Sequence, residues 1–146
     1  MRASILYRAA AVLLFLFAVG HTLGFRESDP AWGVDPMLGL MQSTHFTIQG
    51  FTRTYWDFFV GAGFTVGVLY LFAAVLAWQL GGLPVETLAL MRATAWGFAG
   101  CFAAVTVLSA VHLFWIPIIM SSLVTLCLSA AAWRSGNRAG ASASIR

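Results

Sequence analysis

The chain has 146 residues, of which 60% are hydrophobic and 9% charged. A soluble domain of this size carries about 25% charged residues because its surface must be wetted, and eight basic plus five acidic side chains cannot do that here. Together with a mean hydropathy of +0.86, this excludes disorder, a disulfide-stapled scaffold and a nucleic-acid-binding domain. It leaves an integral membrane protein.

The first charge-free run, Ala9 to Phe25, lies between Arg8 and Arg26. A crossing needs roughly 20 residues at 1.5 Å each to span about 30 Å of hydrocarbon, so this run with its flanks is one helix. A secretory signal competes for it, with Arg2 and Arg8 before an apolar stretch and Ala18-Val-Gly20 as a cleavage site. Cleavage would leave an odd number of crossings.

The stretch from Arg26 to Thr54 is the longest loop and the most polar. Asp35-Pro36 predicts a helix start, with a capping acid before proline at the first helical position. From there Met37, Met41, Thr44 and Ile48 share one helical face and Gln42, His45 and Gln49 a neighbouring one. The expectation is a short interfacial or re-entrant helix over the outer end of the spans.

Phe58 to Val85 holds the second span, and Gly81-Gly-Leu-Pro84 ends it. The third charge-free run, Ala93 to Trp133, is 41 residues. As one helix it would be about 60 Å long, so it must fold back. His112-Leu-Phe-Trp-Ile-Pro117 is its natural turn. The expected class is all-α: a four-transmembrane-helix bundle with spans near 5–25, 55–80, 88–112 and 117–133. A single membrane domain covers 1–134, and 135–146 is a polar, flexible tail. Tryptophan favours the membrane interface. The intervals Trp56–Trp78, Trp96–Trp115 and Trp115–Trp133 are roughly 33, 28 and 27 Å of helix, each about one bilayer core.

Four crossings put Arg2, Arg8, Arg92, Arg134, Arg138 and Arg146 on the face of both termini, and Arg26 and Arg53 on the other. By the positive-inside rule both termini are cytoplasmic. The basic isoelectric point of 9.4 then points to anionic lipid rather than nucleic acid. Arg92 is expected one to two turns into the third helix, snorkelling toward the headgroups and near Glu86.

Small residues four apart allow close helix approach. They occur at Gly20 and Gly24, at Gly63 and Gly67, and at Ala93, Gly97 and Cys101, while Ser121, Thr125 and Ser129 form a hydroxyl face on the fourth span. Cys101 and Cys127 lie 13 residues either side of Phe114, with no nearby charge to activate either thiol.

This topology places His21, His45 and His112 at one membrane face with Asp57 and Arg53. Three readings fit these residues. They satisfy loop backbone and headgroups, with Arg53 and Asp57 as an i, i+4 pair. Alternatively they line a mouth for a lipid, quinone or other apolar small molecule, with Gln42 and Tyr55 beside them. As a third option the three imidazoles hold a metal or haem, although no HxxxH or HxxE spacing supports it. The corresponding functions are a ligand-binding or accessory subunit of a larger membrane complex, a membrane enzyme using His21 or His112 with Asp57 as acid and base, and a metal carrier. The sequence specifies no cofactor.

Gly20-His21-Thr22-Leu23-Gly24, Met41-Gln42-Ser43-x-His45-Phe46, Arg53-x-Tyr55-Trp56-Asp57-Phe58 and Trp78-Gln79-Leu80-Gly81 resemble a bacterial family of small four-helix integral membrane proteins. The resemblance spans most of the chain and implies a four-span fold, with no activity to transfer. At fold level the layout is similar to the membrane family of sterol isomerases and the sigma-2 receptor. Those use intramembrane carboxylates in a lipid-sized cavity, whereas here the acids lie at the outer edge.

Overall fold

The structure of the chain, a computed structural model, describes residues 2–143, with side chains through Ser135. The described residues are mostly helical: α1 (Ala3–Gly24), α2 (Asp35–Ser43), α3 (Tyr55–Gly82), α4 (Val85–Leu90), α5 (Arg92–His112) and α6 (Trp115–Ala143). One antiparallel hairpin, β1 (His45–Ile48) and β2 (Phe51–Thr54), interrupts this all-α arrangement. Four segments are long and apolar enough to cross a membrane: Ala3–Gly24, Tyr55–Gly82, Arg92–His112 and Trp115–Ser135. The protein is a multi-pass helical membrane protein. In hydrocarbon a helix satisfies every backbone group within itself, which is why these apolar runs are helical.

The surface has the character of a lipid-facing one. Val111, Leu126 and Phe72 stand about two-thirds exposed, an arrangement too extensively apolar for a water-facing monomer. Buried positions are mostly small, among them Ala10, Ala77, Ala99 and Ala131. Without a hydrophobic driving force between helices in lipid, small side chains let the backbones approach and gain dispersion contact.

The chain divides into two compact units, residues 1–17 with 71–146 and residues 18–70. In the first, α5 packs against α6, and α4 against both. Ala95, Ala99 and Phe102 form the buried stripe of α5, opposite Val124, Leu128 and Ala131 of α6. This is not the stripe expected from Ala93, Gly97 and Cys101, all of which are exposed. The face of α5 that packs is rotated by two residues, and Ala95 and Ala99 provide the same small spacing. The hydroxyl face of α6 is confirmed in part. Thr125 Oγ1 lies 3.1 Å from Thr106 Oγ1 on α5, whereas Ser121 donates back to Pro117 O at 2.7 Å. A bond of the first kind contributes about 0.6 kcal/mol in a membrane. Both cysteines are free.

Within this same unit the start of α1 lies against the end of α3. The Arg8 guanidinium sits 5.2 Å over the Trp78 ring. A Cβ at Gly81 would fall 3.1 Å from Ser4 O and 3.3 Å from Tyr7 Cβ.

Several boundaries differ from those expected. The third span is broken at Met91, so Arg92 opens α5 instead of lying a turn or more inside a longer helix. The fold-back occurs at Leu113, which is extended (φ −120°). Pro117 falls in the first turn of α6, where its missing N–H has no partner to lose. The flexible tail expected after Arg134 is helical as far as Ala143; the final residues of that tail, including Arg146, lie outside the described ones.

The second unit holds the end of α1, the long loop after it and the start of α3. A single 3₁₀ turn at Pro30–Trp32 is capped by Asp29, whose Oδ1 accepts from Ala31 N at 2.9 Å. The short helix expected after Asp35 is present as α2, but Val34 is its N-cap, with Asp35 and Pro36 inside the first turn. It also stops at Ser43. His45 and Ile48 are in β1 and Gln49 is in the turn, so the two helical faces expected to run on to residues 48 and 49 do not exist. His-Phe-Thr-Ile and Phe-Thr-Arg-Thr are β-branched and aromatic tetrapeptides around Gln49-Gly50. Both turn residues have positive φ, 52° and 83°, as a two-residue turn matching strand twist demands.

Candidate functional site

The polar residues singled out by the sequence fall mainly in the second unit, and local structure accounts for how each is held. His21, in the last turn of α1, is half-buried. Its Nε2–H donates to the backbone oxygen of Gly63 on α3 at 3.0 Å. The ring stacks on Phe25, one helical turn further on, at 5.2 Å, and its edge meets Tyr70 at 6.4 Å. The small residues of α3 make room for this. A Cβ at Gly63 would collide with the Phe25 ring, and one at Gly67 would lie 2.5 Å from Thr22 Oγ1. On α1, by contrast, Gly20 and Gly24 have no atom within 4 Å of a built Cβ, so only the α3 glycines serve close packing here. His21 therefore ties two helices together.

Asp57 and Thr54 form a reciprocal cap at the start of α3. Thr54 N donates to Asp57 Oδ2 at 2.9 Å, and Asp57 N donates to Thr54 Oγ1 at 3.1 Å. Thr-x-x-Asp is a variant of the capping box, here on a helix that must enter the membrane at a fixed point. Thr54 is 6% exposed and is the buried member of β2, so the cap also joins hairpin to helix. The residue order Thr54-Tyr-Trp-Asp57 carries this signal in the sequence, where Asp57 reads instead as a partner of Arg53.

Arg53 turns away from that pairing, donating to Thr52 O at 2.8 Å and lying 5.4 Å over the Phe51 ring. His45 is the register partner of Thr54, and its Nδ1–H donates to Ser43 O at 2.8 Å. The imidazole and the Arg53 guanidinium are both near enough to Asp57 to interact with it electrostatically. Tyr55 is exposed and packs at 5.1 Å on Phe46, which in turn stacks on Phe58 at 5.8 Å. Gln42 is exposed on α2. His112, also exposed, ends α5 and belongs to the first unit. The structure thus brings His45, Arg53, Thr54 and Asp57 together at the hairpin, and holds His21 by a separate bond. Among the described residues there is no group of three His, Cys, Asp or Glu side chains arranged to hold a metal.

What sequence reasoning misses here is how far apolar exposure extends over residues 30–54, beyond Met37 and Ile48 to Trp32, Leu40 and Phe51. Trp32, Met37, Leu40, Ile48 and Phe51 are all large, exposed and outside the helices that span.

Three concavities are formed by residues of the first unit. One of about 310 Å³ is wholly apolar, lined by Ala11, Phe15, Ala74 and Trp78 among others. A second, of about 560 Å³, is lined by Trp96, Leu126, Ser129, Ala130, Trp133 and Arg134. The third, about 150 Å³, includes Arg2, Ser4, Arg134 and Ser135 in its wall. None of these is lined by His21, Gln42, His45, Arg53, Tyr55, Asp57 or His112. Compared with models of known families, with curated proteins and with solved structures, the chain matches none.

Proposed function

We propose that this protein is an accessory subunit of a bacterial inner-membrane complex. Its termini are cytoplasmic and its outer segment, residues 30–54, is the surface that meets a partner. This reading keeps the likeness to small four-helix bacterial membrane proteins as a matter of architecture. The observation that carries it is the hairpin. Two four-residue strands form a two-stranded sheet, anchored to α3 through the Thr54–Asp57 cap and the Phe46 ring. Each strand presents an outer edge for a further strand to join, and Ile48 and Phe51, exposed beside the turn, supply apolar area to bury on assembly.

Asp57 accepts from the Thr54 backbone, while His21 and His45 donate to Gly63 O and Ser43 O. These bonds hold the hairpin, the helix entry and the helix pair in place for a partner to meet. The test is the native size of the protein in mild detergent, for the wild type and for Ile48→Glu with Phe51→Glu. The wild type is expected to run as a complex well above the 15.7 kDa chain plus its micelle. The variant should run as the lone chain, with unchanged helical content. A wild type that runs alone, or a variant that stays in the complex, contradicts the reading.

A further inference from the structure

The arginine-rich end of the first unit carries two concavities that share one residue. Arg134 lines both the 150 Å³ cleft, with Arg2, Ser4 and Ser135, and the 560 Å³ groove, with Trp96 and Trp133. The cleft is lined by two arginines and two serines, around a space equal to about five waters at ~30 Å³ each, enough for a tetrahedral phosphate. Guanidinium is the side chain best matched to phosphate oxygens. Ser135 also neighbours a buried polar atom. Tyr7 is fully buried and its Oη has no hydrogen-bond partner. The Ser135 hydroxyl is a close neighbour, outside hydrogen-bond geometry with it and already donating to Ala131 O at 2.9 Å. A buried phenol usually finds a partner. The Tyr7 hydroxyl thus lies next to Ser135, a residue of the cleft wall.

The groove on the other side of Arg134 is of a different nature. Two indoles, Leu126 and Ala130 make it largely apolar, and its volume is within the ~300–1,000 Å³ typical of small-molecule sites. A phosphate binder adjoining an apolar trough, both on a lipid-facing surface, matches a molecule with an anionic head and a hydrocarbon tail. We propose that the first unit binds one anionic phospholipid, its phosphate held by Arg2 and Arg134 and an acyl chain lying along Trp96 and Trp133. The site is independent of the outer hairpin and of any partner there.

The test is native mass spectrometry of the full chain in mild detergent. Phosphatidylglycerol, phosphatidylcholine of the same chain length and inorganic phosphate serve as probes. One phosphatidylglycerol should be retained in preference to phosphatidylcholine, and inorganic phosphate should not displace it. Each arginine near an anionic lipid is worth about fivefold in affinity, so Arg2→Gln with Arg134→Gln should weaken retention by about 25-fold. Arg134→Lys should keep the preference, and Trp133→Ala should weaken long-chain lipid while sparing a dihexanoyl analogue. The proposal is overturned if the double variant binds within about twofold of wild type. Equal retention of phosphatidylcholine, displacement by inorganic phosphate, or a loss in Arg134→Lys as large as in Arg134→Gln would each overturn it as well.

Discussion

Gly63 shows how much one missing methyl group decides in a membrane helix pair. The His21 ring bonds its carbonyl and the Phe25 ring occupies the space where a Cβ would be. Gly63→Ala should therefore destabilise the protein by about 1–3 kcal/mol, the usual cost of overpacking a filled contact. Phe25→Leu in the same chain should recover part of the loss, and thermal unfolding in detergent measures both. Equal stability of wild type and Gly63→Ala would show that the ring does not stay there. The sequence makes Gly63 and Gly67 visible as a small-residue pair, and gives Gly20 and Gly24 the same weight. Spacing alone does not say which way a helix is turned, which is why α1's glycines are left open and α5's packing stripe lies two residues from the one expected.

At the scale of elements the outer hairpin carries the sharpest test. Gly50 has φ of 83° and Gln49 of 52°, a region that costs a side-chain-bearing residue roughly 1–2 kcal/mol and that asparagine tolerates better than glutamine. Gly50→Ala should loosen the hairpin by about 1 kcal/mol and Gln49→Asn should tighten it. Hydrogen exchange of the amides in residues 45–54 reads this directly, since a local opening need not change global unfolding. Protection unchanged by both substitutions would contradict the turn. Crossings were legible because hydropathy acts over some twenty residues at once, and charge-free runs leave few alternatives. The hairpin was not, because Met37, Met41, Thr44 and Ile48 also satisfy a helical period. Four-residue strands are too short for alternation to compete with that. The candidate site suffered in the same way. The Thr54-x-x-Asp57 order is a capping signal, but Arg53 at i, i+4 offers Asp57 a competing partner, and the bonds to Thr54 decide between them.

For the whole molecule, the account rests on residues 49 and 83 being separated by the α3 crossing. Both native cysteines are free, so Cys101→Ala with Cys127→Ala gives a background for single reporters. Gln49→Cys, in the hairpin turn, and Leu83→Cys, between α3 and α4, would then be exposed to a membrane-impermeant maleimide. Gln49→Cys should react on cells whose inner membrane is intact, and Leu83→Cys only after that membrane is opened. Reaction of both positions before opening, or of neither, would contradict the four-crossing arrangement.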